Sequence, residues 1–203
     1  MKSKFLLIFT ISFIVLFCTA VPIQAATAPN EIIIDGKRLK KVVPGGSTFN
    51  GAFHGLGIYW IKYYPGVDYA YGRDLPPECW KVWSDYSVRK AGGCYSYDDF
   101  LIEPFDDGWS IKNQYINKYM MAKPGGDVLV TAPVRNTWEK FYIYYYEYGT
   151  YPYKYHNYFI MANSSGKWVT TDWTGWVVAN RDKPSDWERV WISTDPNAIH
   201  GAE

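Results

Sequence analysis

Trp187-Glu188-Arg189-Val190-Trp191-Ile192 can be laid over Trp138-Glu139-Lys140-Phe141-Tyr142-Ile143 at an offset of 49 residues. The offset runs back without a gap and pairs Val177 with Val128, Gly175 with Gly126, Trp168 with Tyr119, Lys167 with Lys118 and Ile160 with Ile111. Like residues at one fixed spacing mean that a single structural unit has been used twice.

A fainter copy lies upstream. Gly36-Lys37-Arg38-Leu39, Pro44-Gly45-Gly46 and Trp60-Ile61-Lys62-Tyr63-Tyr64 echo Asn117-Lys118-Tyr119, Pro124-Gly125-Gly126 and Trp138-Glu139-Lys140-Phe141-Tyr142 in order, with small gaps. This alignment predicts repeats at about 31–65, 108–150 and 156–196, with residues 66–107 inserted between the first and the second. A rival alignment closes the first copy on Trp80-Lys81-Val82-Trp83.

The runs between Gly and Pro residues are short and rich in Tyr, Val, Ile, Trp and Thr, which favours strands. Asp127 to Thr131, Trp176 to Asn180 and Trp138 to Tyr148 are such runs, and only Ser84 to Ala91 reads as a short helix. The class is all-β, with four strands expected per copy. Gly166-Lys167-Trp168, Val178-Ala179-Asn180-Arg181 and Trp187-Glu188-Arg189, taken in order, resemble the repeat of fascin-type β-trefoil domains. Those domains occur in actin bundlers and in secreted carbohydrate-associated modules. The resemblance is fullest over 160–192, moderate over 111–143 and poor over 31–64. It implies a six-hairpin barrel with pseudo-threefold symmetry, and no single activity.

The first 25 of the 203 residues read as a signal peptide: Lys2 and Lys4, an apolar run from Phe5 to Phe17, then Gln24-Ala25-Ala26. The run is too short for a folded membrane anchor, and the bulky Phe17 before Cys18 argues against lipidation. A single secreted domain over 26–203 is therefore expected, and secretion sets the actin-bundling branch aside. Removing the leader leaves 19 Lys and Arg against 20 Asp and Glu. A balance so even lacks the basic excess that nucleic acid or an anionic membrane surface demands. Cys79 and Cys94 remain as a pair in an oxidising compartment, and a disulfide between them is expected.

Catalytic and metal chemistry find little support. His54, His156 and His200 lie far apart and no Gly-x-Ser-x-Gly occurs, so neither a metal nor any other cofactor is expected. Asp98, Asp99, Glu103, Asp106 and Asp107 could supply two carboxylates for glycoside hydrolysis, although such a stretch is more often a solvated loop, with a calcium-binding loop as a further alternative. Asn163-Ser164-Ser165 is a glycosylation sequon.

Aromatic content is the informative excess. Of 39 Trp, Tyr and Phe residues, 35 follow the leader, more than one domain of this size can bury. Trp138, Trp187 and Trp60 recur at matching repeat positions and are expected in the core. Tyr151, Tyr153 and Tyr155 alternate along an extended run, which would set their rings on one face, a platform for the C–H faces of sugars. Trp173 and Trp176 flank Thr174-Gly175 where the second copy has Pro124 and Asp127, so the repeat framework does not explain them. The expected function is a non-catalytic, lectin-like module for a glycan or glycosylated surface. A small glycan hydrolase, or an adhesin or toxin-like protein with a protein receptor, are the alternatives.

Overall fold

Tyr59-Trp60-Ile61, Trp109-Ser110-Ile111 and Tyr158-Phe159-Ile160 share an aromatic-x-Ile pattern, and in a strand the first and third positions face one way. In the computed structural model all six of those residues are buried. The structure describes residues 28–45, 55–63, 67–68, 73–74, 78–150, 153–185 and 188–195. In chain order the strands are β1 (Glu31–Ile34), β2 (Lys37–Lys41), β3 (Gly57–Tyr63), β4 (Val67–Asp68), β5 (Arg73–Asp74), β6 (Glu78–Val82), β7 (Val88–Gly92) and β8 (Phe100–Phe105). They continue as β9 (Gly108–Asn113), β10 (Lys118–Ala122), β11 (Val128–Ala132), β12 (Phe141–Thr150), β13 (Tyr153–Ala162), β14 (Trp168–Thr171), β15 (Val177–Arg181) and β16 (Val190–Ser193).

Six strands pair in a cycle: β3 with β8, β8 with β9, β9 with β12, β12 with β13, β13 with β16, and β16 back to β3, all antiparallel. Alternate residues point inward and fill the ring. Three cross-strand isoleucine pairs, Ile102 with Ile111, Ile143 with Ile160 and Ile61 with Ile192, are completely buried. Each such side chain stabilises the fold by roughly 1.5–3 kcal/mol of transfer free energy. Gly108 opens β9 where a Cβ would come within 2.6 Å of the Phe141 carbonyl oxygen, so only glycine lets β9 approach β12 there.

Three hairpins, β6–β7, β10–β11 and β14–β15, cap the ring and are joined to one another cyclically. Lys90 N–H donates to the Gly175 carbonyl (2.8 Å), Val130 N–H to Tyr86 (2.9 Å) and Ala179 N–H to Gly126 (2.7 Å). Tyr86, Gly126 and Gly175 thus hold one position in three copies, and each has a positive φ.

This pairing corrects the assignment of the first copy. Residues 66–107 hold hairpin β6–β7, which joins the cap, and β8, which joins the ring beside β3; of Pro44-Gly45-Gly46, Gly46 lies outside the described residues. Hairpin β1–β2 pairs instead with the outer part of β12, Lys41 opposite Tyr144, over a second apolar cluster with Leu39, Phe159 and Trp168. Between β3 and β6 the small β4–β5 pair is the added element. Ser84 to Ala91 is a turn leading into β7 and not a helix, because Val88 must face the core while its neighbours pair across the hairpin.

The Trp-Glu motif also has a different role from that expected. Glu139 ends a 3-10 turn (Thr137–Glu139) and its buried carboxylate accepts the Asn136 N–H (2.7 Å); Glu188 accepts from Ser185 N–H (2.6 Å) and Asp98 from Tyr95 N–H (2.9 Å). The acid is the recurring core element. The first copy's closing motif is therefore Tyr97-Asp98-Asp99-Phe100-Leu101-Ile102, which neither Trp60 nor Trp80 predicts. Burial pushes the Asp98 and Glu139 carboxyls up from the usual range. Trp138, expected in the core, is 41% exposed because the inward slot beside it is taken by Glu139, and Trp60 is half-buried with its indole N–H on the Tyr95 carbonyl. Trp187 lies outside the described residues.

Candidate functional site

The hairpin tips bring together aromatic side chains from two copies. The third tip carries Trp173, 85% exposed, and Trp176, 39% exposed; the first carries Trp83 and Tyr86, each about half exposed. The turn beneath Trp173 is rigid, because the Asp172 carboxylate accepts the Thr174 N–H (2.9 Å), the Thr174 hydroxyl (2.6 Å) and the Trp176 N–H (3.0 Å). Arg89 links the two tips. Its guanidinium lies 3.7 Å from the Trp176 ring centroid and 5.2 Å from that of Trp83, within cation–π range of both.

Arg89 is held in place by Asp85, to which it is ion-paired, and by the Ser87 hydroxyl, which accepts its Nε–H at 2.9 Å. Hydrogen bonds from the Ser87 hydroxyl and amide, and then the guanidinium, keep the Asp85 carboxyl below its ordinary range. The positive charge is thereby neutralised locally, beneath an exposed surface of three indoles and one phenol. Tyr86 adds a second signal. It occupies the left-handed region, φ 63°, where the other copies have Gly126 and Gly175. A bulky residue there costs roughly 1–2 kcal/mol, and strain of this kind points toward function.

Sequence reasoning names Trp173 and Trp176 as candidates and does not name Trp83, Tyr86 or Arg89, which the structure gathers with Trp176. The signal was available: Tyr86 aligns with Gly126 and Gly175 once the first hairpin is placed at 78–92. The other expected cluster is Tyr151, Tyr153 and Tyr155. Tyr151 and the side chains of Tyr153 and Tyr155 lie outside the described residues. Around them Tyr142, Tyr144 and Tyr158 are buried, and the Tyr144 hydroxyl donates to the Pro29 carbonyl at 2.8 Å.

Four of the five acids in the acidic stretch are held in structural bonds, while Asp99 keeps a buried carboxylate oxygen without a hydrogen-bond partner. Asp98 caps its turn and faces Lys81 (3.4 Å); Glu103 accepts the Tyr119 hydroxyl (2.9 Å) and faces Arg135 (3.5 Å); Asp107 pairs with Lys140 (2.9 Å), which Asp106 also approaches (3.6 Å). The Asn163 side chain is likewise engaged, its amide donating to the Thr137 carbonyl (3.2 Å) and its oxygen accepting the Tyr142 hydroxyl (3.0 Å). Cys79 and Cys94 form a disulfide, with Cα atoms 5.4 Å apart. Among the described residues no three His, Cys, Asp or Glu side chains gather as metal ligands, and no helix is long and apolar enough to cross a membrane.

No protein-family model and no curated protein matches the chain. Among solved structures it is similar to a Polyporus squamosus lectin bound to the human-type influenza-binding epitope Neu5Aca2-6Galb1-4GlcNAc, at 16% identity and a TM-score of 0.48, covering 69% of this chain and 49% of that one. A PSL1a-E64 complex matches at 16% identity and a TM-score of 0.47, covering 69% and 48%. The chain thus spans about half the length of the structures it matches.

Proposed function

We propose that this protein is a secreted, non-catalytic carbohydrate-binding module built as a β-trefoil of three repeats, with its ligand on the hairpin cap. The cyclic pairing of six strands and three hairpins supports the fold, and the disulfide supports an oxidising location. The observation that carries the function is Trp173, almost fully exposed on a rigid turn, beside a Trp83–Arg89–Trp176 stack and a strained Tyr86. Exposed indoles fixed in place offer apolar platforms to the C–H face of a pyranose while losing little conformational entropy on binding. The neutralised charge of Arg89 favours a neutral sugar over an anionic one.

Of the five acids open to the hydrolase alternative, Asp98, Glu103, Asp106 and Asp107 are held in structural bonds, which leaves Asp99 alone where glycoside hydrolysis uses a pair of carboxylates. A glycan array probed with the purified protein, followed by calorimetry, tests the proposal. Trp173→Ala should weaken saccharide binding about 10- to 100-fold, by analogy with aromatic–base stacking, at an unchanged melting temperature. Saccharide binding that survives Trp173→Ala and Trp176→Ala together moves the ligand off the cap. Absence of all saccharide binding overturns the function and leaves the protein-receptor alternative.

A further inference from the structure

A second exposed aromatic surface lies away from the hairpin tips, on the loop entering β8 and the turn leaving β9. Tyr95 and Tyr97 are about half exposed, and Tyr115 is 78% exposed. The Tyr95 and Tyr97 rings stack at 5.4 Å with their planes 11° apart, and Tyr115 meets Tyr97 at 6.3 Å and 59°, so the three rings form a wall with a tilted side.

We propose that Tyr95, Tyr97 and Tyr115 form a second saccharide platform, so that one chain holds two sugar residues at once and cross-links multivalent glycans. The proposal rests on the reading of the cap as a sugar site. Three observations support it. First, the framework does not call for two of these rings. Tyr97 holds the aromatic position of Trp138 in the second copy, but Asn136 stands there where the first copy has Tyr95, and Ser164 of the third copy stands where the second has Tyr115; Asn163 holds the Thr137 carbonyl much as Asn113 holds the Tyr97 carbonyl, each at 3.2 Å. Apolar rings gathered on a surface beyond what packing requires mark a contact site.

Second, the main chain beneath the rings is fixed. Tyr95 follows the disulfide at Cys94; its N–H is taken by Asp98 at 2.9 Å and its carbonyl by the Trp60 indole at 3.1 Å. Asn113 Oδ1 accepts the Ile116 N–H at 3.0 Å and so pins the turn that carries Tyr115. A platform ordered in advance has less entropy to lose when it binds.

Third, the charges cancel. The Lys81 ammonium lies 4.3 Å from the Tyr95 ring centroid and 3.4 Å from the Asp98 carboxylate. A neutral ring with an apolar face, a hexose or N-acetylhexosamine, fits such a surface, and the three phenol hydroxyls can meet its own.

Calorimetry with methyl glycosides of the common hexoses and N-acetylhexosamines, on protein shown to be monomeric by light scattering, reads the number of sites. The wild type should bind two equivalents of its preferred glycoside, and Trp173→Ala and Tyr97→Ala/Tyr115→Ala one each. Only the wild type should precipitate serum albumin decorated with the same sugar. Tyr115→Ala alone, at the most exposed ring, should weaken the second site at least tenfold and guards against a double variant that fails to fold. A stoichiometry of one that is abolished by Trp173→Ala and untouched by the tyrosine changes overturns the second platform while leaving the cap site standing. A wild type that binds none of the glycosides overturns both.

Discussion

The turns Ser84-Asp85-Tyr86 and Pro124-Gly125-Gly126 occupy equivalent places and make the same main-chain bonds. Tyr86 N–H donates to the Trp83 carbonyl at 2.8 Å and Gly126 N–H to that of Lys123 at 2.9 Å, and each third residue's carbonyl accepts from a neighbouring hairpin. Yet the second tip is bare, and the first carries an indole, a phenol and an ion pair. The cap is assembled by main-chain groups, so its outer side chains are free to be chosen for contact with something else. Where that choice conflicts with the backbone, as at Tyr86, the copy accepts strain that glycine avoids.

The first copy differs from the others at four depths, and each can be tested. At the base of its hairpin Trp80 is fully buried, with its indole N–H on the Thr171 hydroxyl at 3.0 Å, whereas Trp83 at the tip is half exposed. Trp80→Ala should therefore cost about 3–5 kcal/mol in urea denaturation, and Trp83→Ala about 0.5 kcal/mol. Equal losses would erase the distinction between base and tip.

The first hairpin alone is stapled, by Cys79–Cys94 with a sequence separation of 15. Reduction should lower stability by about 3 kcal/mol on the chain-entropy account, measured as the shift in denaturation midpoint with and without reductant. A shift near zero would mean that the cyclic hydrogen bonds suffice for all three hairpins alike.

Lys62 is fully buried on β3, and burial lowers its pKa to about 8, although the Asp195 charge opposes this. The matching Lys112 on β9 is only partly buried. Below pH 8 Lys62 is protonated in both the folded and the unfolded chain, and its cost is constant. From pH 8 to 10.5 the unfolded chain holds the proton more tightly, so stability should rise with pH. The gain is on the order of 3 kcal/mol. Burial of Tyr144 raises its pKa well beyond the tyrosine range and acts the other way at high pH, so Lys62→Met, which leaves the tyrosines in place, is the reference. A parallel pH profile for the two proteins would show that Lys62 is not the source.

A smaller effect, of opposite sign, should come at the strained tip. Tyr86→Gly is expected to stabilise the protein by about 1 kcal/mol while weakening saccharide binding. Gly126→Ala, whose Cβ would meet the Ala179 carbonyl oxygen at 3.3 Å with φ at 100°, should destabilise by a similar amount. Thermal denaturation resolves both signs. A Tyr86→Gly variant that loses stability would mean that the phenol packs usefully on the cap.

The sequence disclosed the second and third copies because both keep Trp-Glu, an apolar hairpin strand and the turn glycine at one spacing. The first copy was misread because it replaces each marker with a physical equivalent. Asp98 substitutes for the glutamate, Tyr97 for the tryptophan and Tyr86 for the glycine, and the β4–β5 pair stretches its spacing. The indole is the conspicuous marker in the sequence, whereas the element under strongest constraint is the buried acid that closes the turn. For the same reason Trp138 was assigned inward. Trp173 and Trp176 were legible as surplus to the repeat, whereas Arg89 and Trp83 become part of the surface only through pairing between copies.

The pairing of β16 with β3, Val190 opposite Tyr63, joins segments far apart in the chain. Until that contact forms, β3 and β16 each keep an open edge, which is a template for mispairing with another molecule. The hairpins are local and can form in microseconds, but the barrel waits for its most distant partners, so refolding should be slow and its yield should fall as protein concentration rises.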